Sequence, residues 1–161
     1  FLTGGSMITR VGLQDAEYMP APIKFEAGTQ RVSQAVAFAA AVRYLQHLGM
    51  ENVEAWEHEL GTRLVEGVQK IDGVRLLGPT DPTKRTGLVA LAIEGVHPHD
   101  VGQLLDTQGI AVRVGHHCAQ PLHRCAGVTA STRASTYIYN TTEDVDAFLK
   151  ALAEVRPYFG F

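Results

Sequence analysis

Between Arg31 and Leu48 apolar side chains recur at Val32, Ala35, Val36, Ala39, Ala40, Val42 and Leu45. This three-and-four spacing predicts a helix, stopped by Gly49. Its many alanines predict burial on more than one side. The same period returns from Val53 to Ile71, with Trp56, Leu60, Leu64, Val65 and Val68 as an inward stripe and acidic residues near the start. Gly61 and Gly67 weaken that second helix locally. The rhythm then changes: Val74 to Leu77 and Leu88 to Ile93 are short apolar runs joined by the turn-rich segment from Gly78-Pro79 to Gly87, which predicts an antiparallel hairpin. Beyond His97-Pro98, Asp100 to Thr107 is expected to form a short helix closed by Gly109, followed by a strand from Ile110 to Val114. Ser131 to Tyr139 is β-branched and aromatic, hence a further strand, and Thr141 or Thr142 caps a closing helix from Glu143 to Arg156.

Upstream, Gly4, Gly5, Gly12, Pro20, Pro22 and Gly28 crowd too closely for a long regular element, so residues 1–30 are expected to be a loop-rich arm. Residues 31–161 then form one α+β domain, a small, mainly antiparallel sheet with helices packed on one face. A length of 161 residues at 45% hydrophobic composition suffices for one sizeable core. A net charge of −3 without a basic block argues against a nucleic-acid partner. No apolar run approaches the ~20 residues of a membrane-spanning helix, so no membrane partner is expected. Two cysteines are too few for a disulfide framework, and no secretory n-region or h-region precedes them. The expected compartment is the cytoplasm.

The chemistry concentrates in Arg113-Val114-Gly115-His116-His117-Cys118-Ala119-Gln120-Pro121. A thiol following two imidazoles in a glycine-bearing loop is open to ionisation, and the thiolate is the nucleophile. The competing reading for Cys118 is a small buried hydrophobe. His116 and His117 are candidates to polarise the thiol or move a proton, against the alternative of plain loop residues. Arg133, in an otherwise uncharged stretch, could fork two hydrogen bonds onto a carboxylate or merely pair with a nearby acid. His116, Cys118, His123 and Cys125 are donors that zinc accepts, but their spacing lacks the paired pattern of a structural site, so no metal is expected. Cys125 is read as an ordinary thiol, and His47, His58, His97 and His99 carry no assigned chemistry.

Five ordered blocks resemble one family. They are Gly4-Gly5-Ser6-Met7-Ile8; Phe25-Glu26-Ala27-Gly28-Thr29; Gly109-Ile110-Ala111-Val112-Arg113 leading into His116-His117-Cys118-Ala119; Arg133-Ala134-Ser135; and Tyr139-Asn140-Thr141. Together they are similar to the carboxy-terminal part of a group II, SufS-type cysteine desulfurase of the class V aminotransferases. The resemblance implies the small domain of a fold-type I pyridoxal-phosphate enzyme. It implies that Cys118 takes sulfur from L-cysteine as a persulfide, that Arg133 binds the substrate carboxylate, and that His116 and His117 assist. Gly4, Gly5, Gly28 and Thr29 would reach the cofactor phosphate of the neighbouring subunit in a homodimer. A sulfur-acceptor protein of the SufE or SufU type would carry the persulfide toward iron–sulfur cluster assembly.

The lysine that holds the cofactor in this family has no counterpart among Lys24, Lys70, Lys84 and Lys150. Its context falls before Phe1, so the chain is expected to be a fragment, inactive alone and poorly soluble along the Val32 to Leu48 helix. The alternatives are a selenocysteine lyase or other class V lyase, and a non-catalytic thiol or sulfur-carrier module.

Overall fold

The computed structural model of the chain describes residues 2–161. It divides after Leu48 into two compact units. The first holds a two-stranded antiparallel ribbon, β1 (Ile8–Val11) and β2 (Ala16–Tyr18), with Ile8 opposite Tyr18 and Val11 opposite Ala16. The arm expected from the glycine and proline spacing therefore contains a short hairpin. Its turn closes where Gly12 N–H donates to the Asp15 carbonyl at 2.8 Å. Helix α1 (Val32–Leu48) follows, within one residue of its predicted start, but buries none of its side chains. The burial expected from its alanines is absent among the described residues.

In the second unit the element order is α2 (Met50–Val68), β3 (Val74–Leu77), β4 (Leu88–Ile93), α3 (Pro98–Asp106), β5 (Arg113–Gly115), α4 (Gln120–Cys125), β6 (Ser131–Ser135) and α5 (Thr142–Tyr158). The four strands form one antiparallel sheet in the order β3-β4-β6-β5. Strand β4 alternates strictly, with Val89, Leu91 and Ile93 buried. Val89 faces Ala134 and Leu91 faces Thr132 across the β4–β6 ladder, so these residues share the core face. Against them pack Leu60, Leu64, Val65 and Val68 of α2, Val101 and Leu105 of α3, and Val145, Phe148, Leu152 and Val155 of α5. Trp56, at the end of the α2 stripe, is only half-buried and donates its indole N–H to the Asn140 carbonyl at 3.1 Å.

Helix α2 is shifted three residues toward the N-terminus at both ends, α3 starts two residues early and α5 ends two residues late, and larger departures concern the last two strands and a helix. Ile110 to Val112 are not paired, and β5 begins only at Arg113, where Arg133 becomes available across the ladder. Strand β6 stops at Ser135 because Thr136 N–H turns to the Gly87 carbonyl at 2.7 Å and Tyr137 to Asn140 close a turn. The six-residue α4 is absent from the hydrophobic pattern. It meets the sheet's other face, where Arg75 donates to the Ala126 carbonyl and His123 bonds Ser131.

Candidate functional site

Strand alternation selects what faces the site. Thr132 and Ala134 point into the core, so Ser131, Arg133 and Ser135 lie on the opposite face of β6. Across the β5–β6 ladder Arg113 is directly opposite Arg133 and Gly115 opposite Ser131. Two like charges in register repel, at a cost of a few tenths of a kcal/mol or more, so the pair suits a place where an anion will sit between them. The Arg133 side chain is half-buried, and its Nε has no hydrogen-bond partner among the described residues. Among the described residues no acidic side chain pairs with it.

Past β5 the backbone bends sharply. Gly115 has φ +113°, and His117 and Cys118 are consecutive left-handed residues at +52° and +59°. Left-handed geometry in non-glycine residues costs on the order of 1–3 kcal/mol each and collects at functional positions. Ala119 N–H donates to the His116 carbonyl at 2.8 Å, closing the turn, and α4 starts immediately with Pro121 in its first turn. The bend leaves Cys118 exposed in an open depression lined by Arg113, Val114, His116, His117, Gln120 and Pro121. Arg113 Nη2 lies 3.9 Å from Cys118 Sγ. Cys118 is therefore not a core hydrophobe, and Arg113, which the sequence showed only as part of a signature, is a direct neighbour of the sulfur.

The two histidines before the thiol separate in role. His116 is exposed, with its ring edge-on to His123 at 5.9 Å between centroids. His117 is half-buried, and its Nε2 lies 3.0 Å from Ser131 Oγ. Burial, and after it the positive charge of Arg133, lower the pKa of the His117 imidazole from the ordinary histidine value and favour its neutral form. His117 Nδ1 is buried with no partner among the described residues. Ser131, fully buried, also lies 2.9 Å from His123 Nε2, and His123 Nδ1 lies 3.0 Å from the Ala119 carbonyl. Neither Ser131 nor His123 was singled out for this role from the sequence. The hint available was a histidine four residues after Ala119 in a short helical turn. Among the described residues no three His, Cys, Asp or Glu side chains converge as a metal ion requires.

In the first unit, the two glycine segments meet. Gly28 N–H donates to the Gly5 carbonyl at 2.9 Å, and a Cβ on Gly4 would come within 3.1 Å of Gly28 N. Gly28 has φ +87°, and the space where Cβ atoms of Gly5 and Gly28 would stand is open. Thr29 is exposed. The two glycine segments thus lie side by side with open space over Gly5 and Gly28. All four lysines are exposed.

The chain is 51% identical over 160 residues to a protein of Mycobacterium leprae named probable cysteine desulfurase 2, covering 99% of this chain and 38% of that protein. Among solved structures, it superposes on a cysteine desulfurase of Thermococcus onnurineus with a TM-score of 0.81 at 38% identity, covering 96% of this chain and 38% of the other. The cysteine desulfurase CsdA of Escherichia coli gives 0.82 at 35% identity, covering 98% and 39%. The chain thus spans about 38% of the length of the curated relatives it matches. The Aminotransferase class-V profile matches residues 1–148, and with the fold and the strained thiol loop beside it, this chain belongs to the class V aminotransferase family.

Proposed function

We propose that the chain is the thiol-bearing part of a pyridoxal-phosphate-dependent cysteine desulfurase, in which Cys118 takes the sulfur of L-cysteine and L-alanine leaves. One observation carries this most directly: an exposed sulfur held out by two left-handed residues, 3.9 Å from the Arg113 guanidinium, which stands in register with Arg133. The names borne by the relatives point the same way. In the net reaction the substrate's carbon–sulfur bond breaks and a sulfur–sulfur bond forms on Cys118. The sulfur pair is oxidised by two electrons, and the substrate carbon is reduced to a methyl group, taking up the thiol proton. Thiol and cysteine become persulfide and alanine with no outside reductant.

The residues divide the work. Arg133 grips the substrate carboxylate, its buried Nε being a donor without an acceptor among the described residues. Arg113 faces the sulfur while it carries negative charge. His117, neutral and with one nitrogen unpartnered, holds or moves the proton, and His116 lines the mouth. Gly4, Gly5, Gly28 and Thr29 would lie against the phosphate end of the cofactor, a role that the open space over Gly5 and Gly28 and the exposed Thr29 hydroxyl leave room for. Pyridoxal phosphate, when bound, supplies the electron sink for the substrate's carbon skeleton.

In this reading residues 1–30 belong to the cofactor-binding part and the dimer interface, and residues 31–161 to the small domain. None of the four exposed lysines is assigned to the cofactor in this reading, and the chain alone is expected to be inactive. The persulfide passes to a SufE- or SufU-type acceptor in the cytoplasm, toward iron–sulfur cluster assembly. The test is the complete protein loaded with cofactor and given L-cysteine, followed by peptide mass analysis. Alanine release with one sulfur atom gained on the Cys118 peptide, both lost in Cys118→Ser, is the expected result. Undiminished alanine release in Cys118→Ser, or sulfur found on Cys125 instead, overturns it.

A further inference from the structure

The hydrogen bonds around Ser131 fix the direction of each proton. A carbonyl oxygen only accepts, so His123 Nδ1, 3.0 Å from the Ala119 carbonyl, carries a hydrogen. In neutral His123 the Nε2 is then a bare acceptor and takes the Ser131 hydroxyl hydrogen across 2.9 Å. Ser131 Oγ, its hydrogen committed, accepts from His117 Nε2–H across 3.0 Å. His117 Nδ1 is thereby left as a lone pair, on the nitrogen that has no partner among the described residues.

We infer that Ser131 and His123 are positioning residues that set the tautomer of His117, holding its Nδ1 ready to accept a proton at the Cys118 loop. The same chain runs in reverse. When Nδ1 gains a proton, His117 Nε2–H passes its proton to Ser131 Oγ, and the Ser131 hydrogen moves to His123 Nε2. His123 then carries the charge, both its nitrogens donate, and Ser131 donates back to His117 Nε2. Each transfer breaks one N–H or O–H bond and forms another, so no proton is left over. The charged or titratable groups around His117 are Arg113 from β5, Arg133 from β6, His123 from α4, and His116 and Cys118 from its own loop. The two arginines disfavour charge on His117, which makes a route for moving that charge onward useful. Burial agrees with a dedicated role, since Ser131 is 0% and His123 6% exposed although both are polar.

This inference deepens the desulfurase reading and rests on it for its purpose, but the tautomer can be read without cofactor. Long-range proton–nitrogen NMR of the histidine rings in this chain, above the histidine range, should show His117 as the Nε2–H form. Ser131→Ala and His123→Leu should each shift it toward the mixture of a free imidazole. His123→Gln, whose side-chain oxygen can still accept from Ser131, should restore the wild-type pattern. In the complete protein, Ser131→Ala and His123→Leu should lower kcat for persulfide formation about tenfold or more with KM unchanged, and His123→Gln, which restores the tautomer but cannot take up the proton, should recover only part of that loss. A wild-type His117 found as Nδ1–H, a tautomer indifferent to both disruptive variants, or kcat values equal to wild type would each overturn the inference. If the NMR pattern holds while the wild-type protein forms no persulfide on Cys118, the positioning of His117 by Ser131 and His123 stands and the desulfurase reading is what falls.

Discussion

Arg133 shows why the guanidinium, and not merely its charge, matters. It sits in register with Arg113, has an unpartnered buried Nε, and faces away from the core. Lysine at this position keeps the charge but cannot present two parallel donors to a carboxylate. A charge-assisted bond contributes about 1.5–3 kcal/mol, so Arg133→Lys in the complete protein should raise KM about tenfold or more, with a smaller change in kcat. Steady-state kinetics on L-cysteine decide it, and an unchanged KM would separate Arg133 from substrate. His117 carries a pH signature of its own. Burial and Arg133 depress its protonation in the folded chain relative to the ordinary value of 6.5. The unfolded chain therefore binds the extra proton first, and stability falls as pH drops through 6.5 toward the lowered folded value. His117→Gln should flatten that part of the pH profile in thermal melts at pH 7.5 and 5.5. At this scale the sequence named Cys118, His117 and Arg133 because their residue types announce chemistry. It could not name Ser131 and His123, whose roles exist only once β6 and α4 bring them to the same place, eight residues apart.

Among the elements, β3 and β4 match their predicted limits residue for residue, because short apolar runs bounded by glycine leave little room for other boundaries. Helix α4 escaped because six residues opening with Gln120-Pro121 are too few to show a period. The glycines of α2 were legible as weak points, but their reason lies in packing. A Cβ on Gly61 would stand 2.8 Å from the Thr86 carbonyl oxygen and 3.3 Å from Gly87 Cα, which are backbone atoms entering β4. On Gly67 it would meet the outer end of the Leu149 side chain, which can rotate away. Alanine normally favours a helix by about 1 kcal/mol over glycine. Gly61→Ala should nonetheless destabilise the chain by about 1–3 kcal/mol through the backbone clash, and Gly67→Ala by less. Paired denaturant titrations measure the difference, and a stabilised Gly61→Ala would refute the close-approach argument. Helix α5 is held at its start by a reciprocal cap, Thr141 Oγ1 accepting from Asp144 N–H at 3.3 Å and Asp144 accepting from Thr141 N–H at 3.0 Å. Thr141→Ala should cost about 1 kcal/mol. The Thr141 N–H, and after it Asn140, hold the Asp144 carboxyl below its ordinary value of 3.8. That stabilisation is present at neutral pH and disappears as pH falls below 3.8 through the lowered folded value.

For the whole molecule, α1 is the part that the chain itself does not satisfy. Val32, Val36, Phe38, Val42 and Tyr44 are 64%, 64%, 72%, 39% and 60% exposed. At 100° per residue these positions spread around the helix and do not form one stripe, and a helix apolar on all sides is characteristically an interior one. The alanine-rich sequence predicts burial on more than one side. Within residues 2–161 none of its side chains is fully buried, and only Leu45 among its large apolar residues is partly covered. An unmet apolar surface of this kind drives association. The chain in isolation should therefore self-associate in a concentration-dependent way and bind a hydrophobic dye. Val36→Gln with Phe38→Gln should reduce both, because glutamine is a good helix former and leaves α1 intact while removing two large apolar groups. The second unit, whose core lies wholly between its sheet and α2, α3 and α5, should melt unchanged in that double variant. Sedimentation velocity across a dilution series measures the association. A wild-type chain that sediments as a single monomeric species at every concentration would show that α1 tolerates water as it stands.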